Sequence, residues 1–184
     1  MSKNRKKIKE IILCSSFAAL IAVGAFIKIP VPVVPFTLQF LFTDMAGLLL
    51  GSRLGFIAVM SYIAVGLAGL PVFAQGGGLS YILQPSFGYL IGFALGAFVT
   101  GKIAERFKNP SFKILMFANF AGLLTVYALG MIYYSLMSNF YLGDPIGLWP
   151  LFLYCFILAV PGDIALCFLS ASLGKFLIPI LREM

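Results

Sequence analysis

Apolar residues run along this chain in six long segments, separated by short stretches rich in proline, glycine or charge. Apolar segments of this length favour helices, and about 20 such residues are enough to cross a bilayer. We predict helices over approximately Glu10–Ile27, Phe40–Leu50, Leu54–Leu67, Pro85 or Ser86 to Phe107, Phe112–Met137 and Leu151–Ile178, the last one interrupted at Pro161.

Composition places these helices in a membrane. Hydrophobic residues make up 61% of the 184-residue chain and charged residues only 10%, with a mean hydropathy of +1.05. A soluble domain carries about 25% charged residues, so this chain cannot cover a water-facing surface. The sequence therefore predicts an all-α integral membrane protein with six transmembrane helices, forming a single domain over residues 1–184.

Basic residues mark one side of the predicted membrane. If the N-terminus is cytoplasmic, every lysine and arginine except Lys28 lies on the cytoplasmic side, as the positive-inside rule requires. We therefore predict that both termini are cytoplasmic. The net charge of +7 does not indicate a nucleic-acid partner, because the charges flank apolar runs rather than cover a soluble face.

Several kinds of site are disfavoured by residue content. The chain has no histidine, and Cys14, Cys155 and Cys167 are widely spaced within apolar runs. Zinc sites, other metal sites and histidine-based catalysis are therefore not expected, and no cofactor is predicted. The stretch "QGGGLS" lacks the lysine of a phosphate-binding loop.

Two irregular loops, 28–39 and 68–85, lie on the outer side in this topology. The first contains Pro30, Pro32 and Pro35, and the second contains Gly76, Gly77 and Gly78. Non-helical backbone near a membrane persists where protein or a water-filled cavity satisfies it. The loops are interpreted as a lid over an outward-facing ligand cavity, with plain connectors as the alternative.

Ionisable residues inside apolar helices are candidates for functional positions. Asp44 has either a structural or a functional role, whereas Asp163 follows Pro161 and Gly162, which open the helix beside it. A carboxylate placed there can accept two hydrogen bonds from N–H groups of a ligand. Further polar candidates for the cavity are Gln39, Gln84, Ser86, Tyr89 and Asn119.

The residues "VPFTLQ", "AGLLLGSRLG", "GLAGLPVFAQGGGLSYILQPSFGYLIGF" and "VPGD" occur in this order along nearly the whole chain. This pattern resembles the BioY family, the biotin-specific substrate-binding (S) components of energy-coupling factor (ECF) transporters. The resemblance implies a protein of the prokaryotic plasma membrane that is not an enzyme. Its implied partners are biotin, a transmembrane coupling (T) component and two ATPase subunits.

The resemblance also implies roles for individual residues. Asp163 is expected to bind the ureido ring of biotin, and the pocket is expected to be lined by Tyr89, Gly76, Gly77 and Gly78. Small residues at four-residue spacing on helix 1 suit close helix packing, and Ala18 and Ala22 resemble the face that docks on the T component.

The chain departs from some family members, which carry charged residues where Leu90 and Leu166 stand here. The partner of the ligand carboxylate therefore stays open between Lys28, backbone N–H groups near Gly77 and the N-terminus of helix 4. Other hypotheses are an S component for thiamin or riboflavin, a small membrane enzyme and a structural membrane subunit.

Overall fold

The computed structural model describes residues 3–29 and 36–183. Its helices are α1 (Lys3–Phe26), α2 (Gln39–Leu50), α3 (Ser52–Leu67), α4 (Phe87–Ala104), α5 (Phe112–Leu136), α6 (Leu148–Phe152) and α7 (Val160–Glu183). A 3₁₀ turn (Leu79–Leu83) precedes α4, and π-helical turns follow α5 (Met137–Tyr141) and α6 (Leu153–Ile157). Two short antiparallel strands, β1 (Lys28–Ile29) and β2 (Phe36–Thr37), pair between α1 and α2.

Four helical stretches are long and apolar enough to cross a membrane, namely Asn4–Phe26, Phe87–Ala104, Phe112–Tyr141 and Leu148–Leu181. The helices α2 and α3 are shorter, with 12 and 16 residues. At 1.5 Å per residue they extend about 18 and 24 Å, less than the ~30 Å hydrocarbon thickness of a bilayer. The described residues thus confirm a mostly helical protein with four candidate membrane spans.

The observed helix boundaries differ most from the predicted ones in α1, in α4 and in the last apolar segment. The basic N-terminal segment is helical, so α1 begins at Lys3 and not at Glu10. The fourth helix begins at Phe87 and ends at Ala104, inside the predicted limits. The last apolar segment divides into α6, a π-helical turn and α7, and its break falls at residues 158–159.

Pro161 lies in the first turn of α7, so the prediction that it interrupts the last helix was wrong by a few residues. A proline is tolerated at the start of a helix because its missing N–H would have no partner there. The backbone N–H of Asp163 nevertheless bonds the Ala159 carbonyl at 3.2 Å, which closes the first turn of α7.

The helix α4 packs against α2, α3 and α5 in the centre of the molecule. Glycines allow the backbones to approach closely: a Cβ at Gly92 would lie 2.9 Å from the Val126 Cα atom of α5. Membrane helices associate through close packing at small residues, because lipid is as apolar as the side chains and the hydrophobic effect does not drive the helices together. The packed helices form a core that includes the fully buried Ile21, Val59 and Leu115.

The short link between α2 and α3 is held by α4. Glu105, which follows α4, accepts hydrogen bonds from the Ser52 backbone N–H at 3.1 Å and the Ser52 hydroxyl at 3.0 Å, and pairs with Lys102 at 3.2 Å. Burial raises the pKa of Glu105, but the Ser52 hydrogen bonds and Lys102 outweigh this effect and lower it. The carboxylate thereby caps the start of α3.

Two irregular segments meet at the opposite end of the bundle. The strands β1 and β2 align Lys28 with Thr37, and the Lys28 Nζ donates to the Ala74 carbonyl at 2.8 Å. The first loop therefore contacts the loop that follows α3. Pro30, Pro32 and Pro35, on which part of the lid interpretation depended, lie outside the described residues.

Candidate functional site

A cavity opens beneath these two loops. It holds about 720 Å³ of empty space, counting its open mouth, and is lined by α2, α4, α5, α7, β2, the loop after α3 and the segment after α6. The lining residues are Phe36, Thr37, Gln39, Phe40, Ala74, Gln75, Tyr81, Ser86, Tyr89, Leu90, Phe93, Val126, Tyr127, Tyr154, Cys155, Ala159 and Asp163. A concave, mainly apolar pocket with a few convergent polar groups is the usual form of a small-molecule site.

Asp163 is the one carboxylate in this lining. Its side chain is only 8% exposed, and the Tyr127 hydroxyl of α5 donates a hydrogen bond to its Oδ2. A Cβ at Gly162 would lie 2.6 Å from the Phe36 ring, so glycine makes room for β2 beside the first turn of α7. The local sequence therefore brings the carboxylate and the first loop to the same wall of the cavity.

Aromatic side chains form the wall next to Asp163. The ring of Tyr127 meets those of Tyr89 and Phe156 edge-on, with centroids 6.3 and 5.0 Å away. The Tyr89 hydroxyl donates to the Cys155 carbonyl at 3.3 Å, which ties α4 to the π-helical turn before α7. Rings held in this way offer flat apolar surfaces with fixed orientation.

Gln39 and Ser86 supply neutral polar groups. The Gln39 Nε2 donates to the Tyr62 hydroxyl at 2.8 Å, and that hydroxyl donates to the Val72 carbonyl at 3.1 Å, which anchors the loop after α3. The side chains of Tyr81 and Ser86 interact with each other. The buried Ser86 Oγ nevertheless has no hydrogen-bond partner of normal geometry among the described residues. Such a group is available to a ligand.

Four of the predicted site residues line the cavity: Asp163, Tyr89, Gln39 and Ser86. The glycines of the loop do not; they shape its backbone instead. Gly76 and Gly78 have φ values of 122° and 97°, which favour glycine, and Gly77 packs against the Leu70 carbonyl. The loop thereby places Ala74 and Gln75 in the lining.

The remaining predicted residues lie around the cavity. Gln84 is exposed beside the start of α4, and Lys28 lies at the rim, one contact away from the lining residue Ala74. Asn119 is fully buried on α5, where its Nδ2 donates to the Cys167 carbonyl of α7 at 2.9 Å. Leu90 lines the cavity and Leu166 does not.

Sequence reasoning missed Tyr127, Gln75 and Tyr154. Tyr127 lies in the apolar run of α5, and its contact with Asp163 spans 36 residues, so no local pattern reveals it. The hydroxyl of Tyr127 could have indicated a polar contact, because a buried tyrosine in a membrane helix needs a hydrogen-bond partner.

The small-residue stripe of α1 is partly inside the protein. Cys14 is buried and its thiol lies 3.6 Å from the Leu54 carbonyl of α3, whereas Ala18 and Ala22 are half-buried at the edge of the core. Large apolar side chains beside them are exposed, including Ile11 at 65% and Val23 at 52%. This face of α1 is accessible from outside the described protein.

Comparison with known proteins places this fold in a class. The model of the BioY family matches residues 1–183, and the chain belongs to that family. The chain is also similar over its whole length to a crystallised S-component for biotin from an ECF-type ABC transporter, with a TM-score of 0.82 and 29% identity over 100% of this chain and 95% of that one.

Two relatives have names that state a function. The probable biotin transporter BioY of Lysinibacillus sphaericus is 46% identical over 174 residues, covering 95% of this chain and 89% of that protein. The biotin transporter BioY of Thermotoga maritima is 44% identical over 138 residues, covering 74% and 78%.

Proposed function

We propose that this chain is the biotin-binding S component of an ECF-type uptake transporter. The observation that carries the proposal is a mainly apolar cavity with one carboxylate, Asp163, in a chain whose fold and family are those of biotin S components. The similar proteins are transporters, so the chain is a transport protein and not an enzyme. Their names favour biotin over thiamin or riboflavin.

Biotin suits the chemistry of the lining. Its ureido ring carries two N–H donors, which a carboxylate accepts as charge-assisted hydrogen bonds. Its fused rings are compact and apolar enough to pack against Tyr89, Phe93 and Tyr127. The Tyr127 hydrogen bond holds the Asp163 carboxylate in place, so less freedom is lost when the ligand binds.

The proposal includes a position in the membrane. We infer six membrane-spanning helices in a single domain, both termini in the cytoplasm and the cavity facing outward in a prokaryotic plasma membrane. The supporting observation is the charge distribution, in which Lys28 is the only basic residue on the loop side. Its proposed partners are a T component, which contacts α1 at Ala18 and Ala22, and two ATPase subunits.

Ligand screening tests the proposed function directly. The protein purified in detergent should be stabilised against heat by biotin and not by thiamin or riboflavin, since a ligand that binds the folded state raises its melting temperature. Stabilisation by either of the other vitamins, with none by biotin, would refute the assignment.

We further propose that Lys28 binds the carboxylate of biotin. Among the described residues no lysine or arginine lines the cavity, but Lys28 donates a hydrogen bond to the lining residue Ala74. Its ammonium has three donors, so it can keep the Ala74 bond while it donates to a ligand.

Replacing Lys28 with Met should weaken binding of biotin about tenfold, the low end expected for a charge-assisted hydrogen bond at an exposed position. Binding of the neutral biotin amide should barely change, because the ammonium interacts chiefly with the charged carboxylate. Titration calorimetry with both ligands measures this, with Lys175→Met on α7 as the control. Equal losses for both ligands would instead point to neutral donors such as Ser86.

Docking on the T component is tested by co-purification with the coupling and ATPase subunits. Ala18→Trp should reduce their recovery, while Leu124→Trp on the exposed face of α5 should not. Biotin binding by the free variants shows that they are folded. Full recovery with Ala18→Trp and Ala22→Trp would exclude this face.

A further inference from the structure

A second cluster of polar side chains lies inside the helix bundle, apart from the cavity. Its centre is Asp44 of α2, which is 2% exposed. The Ser170 hydroxyl of α7 donates to its Oδ2 at 2.6 Å, and the Thr100 hydroxyl of α4 lies 3.0 Å from its Oδ1. Thr100 and Ser170 are themselves fully buried.

The helix α5 joins the same cluster. The Thr100 Oγ1 lies 3.3 Å from the Ala118 carbonyl, and the next residue, Asn119, donates to the Cys167 carbonyl of α7. Gly122 lets Thr100 pack directly against α5, because any Cβ there would collide with the Thr100 hydroxyl. The cluster therefore links α2, α4, α5 and α7 by hydrogen bonds, and we refer to Asp44, Thr100, Ala118, Asn119 and Ser170 as the four-helix junction.

These four helices are also the ones that line the cavity. On α7, Asp163, Cys167 and Ser170 are spaced so that they share one face, and seven residues of helix separate Asp163 from Ser170 by about 10 Å. On α4, Phe93 of the lining lies seven residues before Thr100, and on α2, Gln39 lies five residues before Asp44. The junction is thus a layer of polar contacts about one to two helical turns from the cavity lining.

We propose that Asp44 is a positioning residue for biotin capture, which acts by fixing the spacing of the four helices that carry the ligand-binding groups. The proposal rests on the proposed function. Asp44 is not among the residues that line the cavity, so its proposed effect passes through the helices and not through direct contact with the ligand. A binding group displaced by as little as 1 Å loses much of its interaction with the ligand.

The geometry makes a specific demand on the residue at this position. It must accept a hydrogen bond from Ser170 and contact the Thr100 hydroxyl at the same time. Asparagine can do both, because its Oδ1 accepts from Ser170 while its Nδ2 donates to Thr100, whose proton then goes to the Ala118 carbonyl. Leucine branches at the same carbon but carries methyl groups in place of the oxygens, so it can do neither.

The experiment measures biotin affinity by calorimetry and, separately, the melting temperature of the ligand-free protein. Asp44→Leu should weaken biotin binding about tenfold at temperatures where the protein remains folded, and Asp44→Asn should restore nearly the wild-type affinity. A merely structural role would lower the melting temperature of Asp44→Leu and leave the affinity of the folded protein unchanged.

Milder variants keep the test decisive if Asp44→Leu does not fold. Ser170→Ala and Thr100→Val each remove one link to Asp44, and both should weaken biotin binding. Their controls are Ser172→Ala on α7 and Thr125→Val on α5, whose hydroxyls bond only within their own helices in the described structure. Wild-type affinity in both test variants, or equal weakness of Asp44→Asn and Asp44→Leu, would overturn the proposal. Failure of the wild-type protein to bind biotin would instead refute the proposed function.

Discussion

Asp163→Asn should weaken biotin binding by about 1.5–3 kcal/mol, which corresponds to roughly ten- to a hundredfold in affinity. The substitution retains the shape of the side chain but removes its charge and gives it an N–H₂ group where an acceptor is required. One ureido N–H of the ligand would then face a donor inside a mainly apolar cavity. Titration calorimetry of purified protein measures the effect.

The chain offers a matched control for this change. Asp144 is an exposed aspartate in the loop after α5, outside the cavity lining, so Asp144→Asn removes the same charge without touching the site. It should bind biotin like the wild-type protein. Wild-type affinity in a folded Asp163→Asn variant would show that the carboxylate is not the ligand anchor.

Gly92→Val should strongly destabilise the protein, by about 1–3 kcal/mol or more. A Cβ at this position would lie 2.9 Å from the Val126 Cα and carbonyl oxygen, which are backbone atoms that cannot rotate away. The helices α4 and α5 would have to separate, and Val126 also lines the cavity. Both the melting temperature in detergent and biotin binding should therefore fall.

Gly147→Val is the corresponding control. Gly147 precedes α6 with φ of −67°, and the nearest side-chain atom to an added Cβ is 3.4 Å away, an ordinary contact. This variant should melt close to the wild-type temperature. If Gly92→Val melted there as well, the close approach of α4 and α5 would not be required for the fold.

The membrane helices could be predicted from the sequence because length and hydropathy decide them locally. The start of the last helix could not, because π-helical turns replace regular hydrogen bonds over Leu153–Ile157 without any charge or glycine to mark them. The short lengths of α2 and α3 were visible, but apolar length alone does not show how such helices sit in a bilayer.

Asp163 and Gln39 stood out in the sequence as polar residues in apolar surroundings, and both line the cavity, so their roles in ligand binding stay predictions. The glycines at 76–78 do not line it, and the sequence could not show this, since a glycine-rich loop that shapes backbone and one that contacts a ligand have the same sequence. Tyr127 was missed for the opposite reason: it resembles any aromatic residue of a membrane helix until its partner on α7 is known.

The cavity is lined by residues between Phe36 and Asp163, and its carboxylate, that of Asp163, belongs to α7. During synthesis the earlier helices can enter the membrane before α7 exists, but they then lack the carboxylate that we propose as the ligand anchor. On the proposed function, biotin stabilises only a chain in which α7 has docked against α2 and α5. An occupied cavity therefore reports that α7 has joined the helices that precede it.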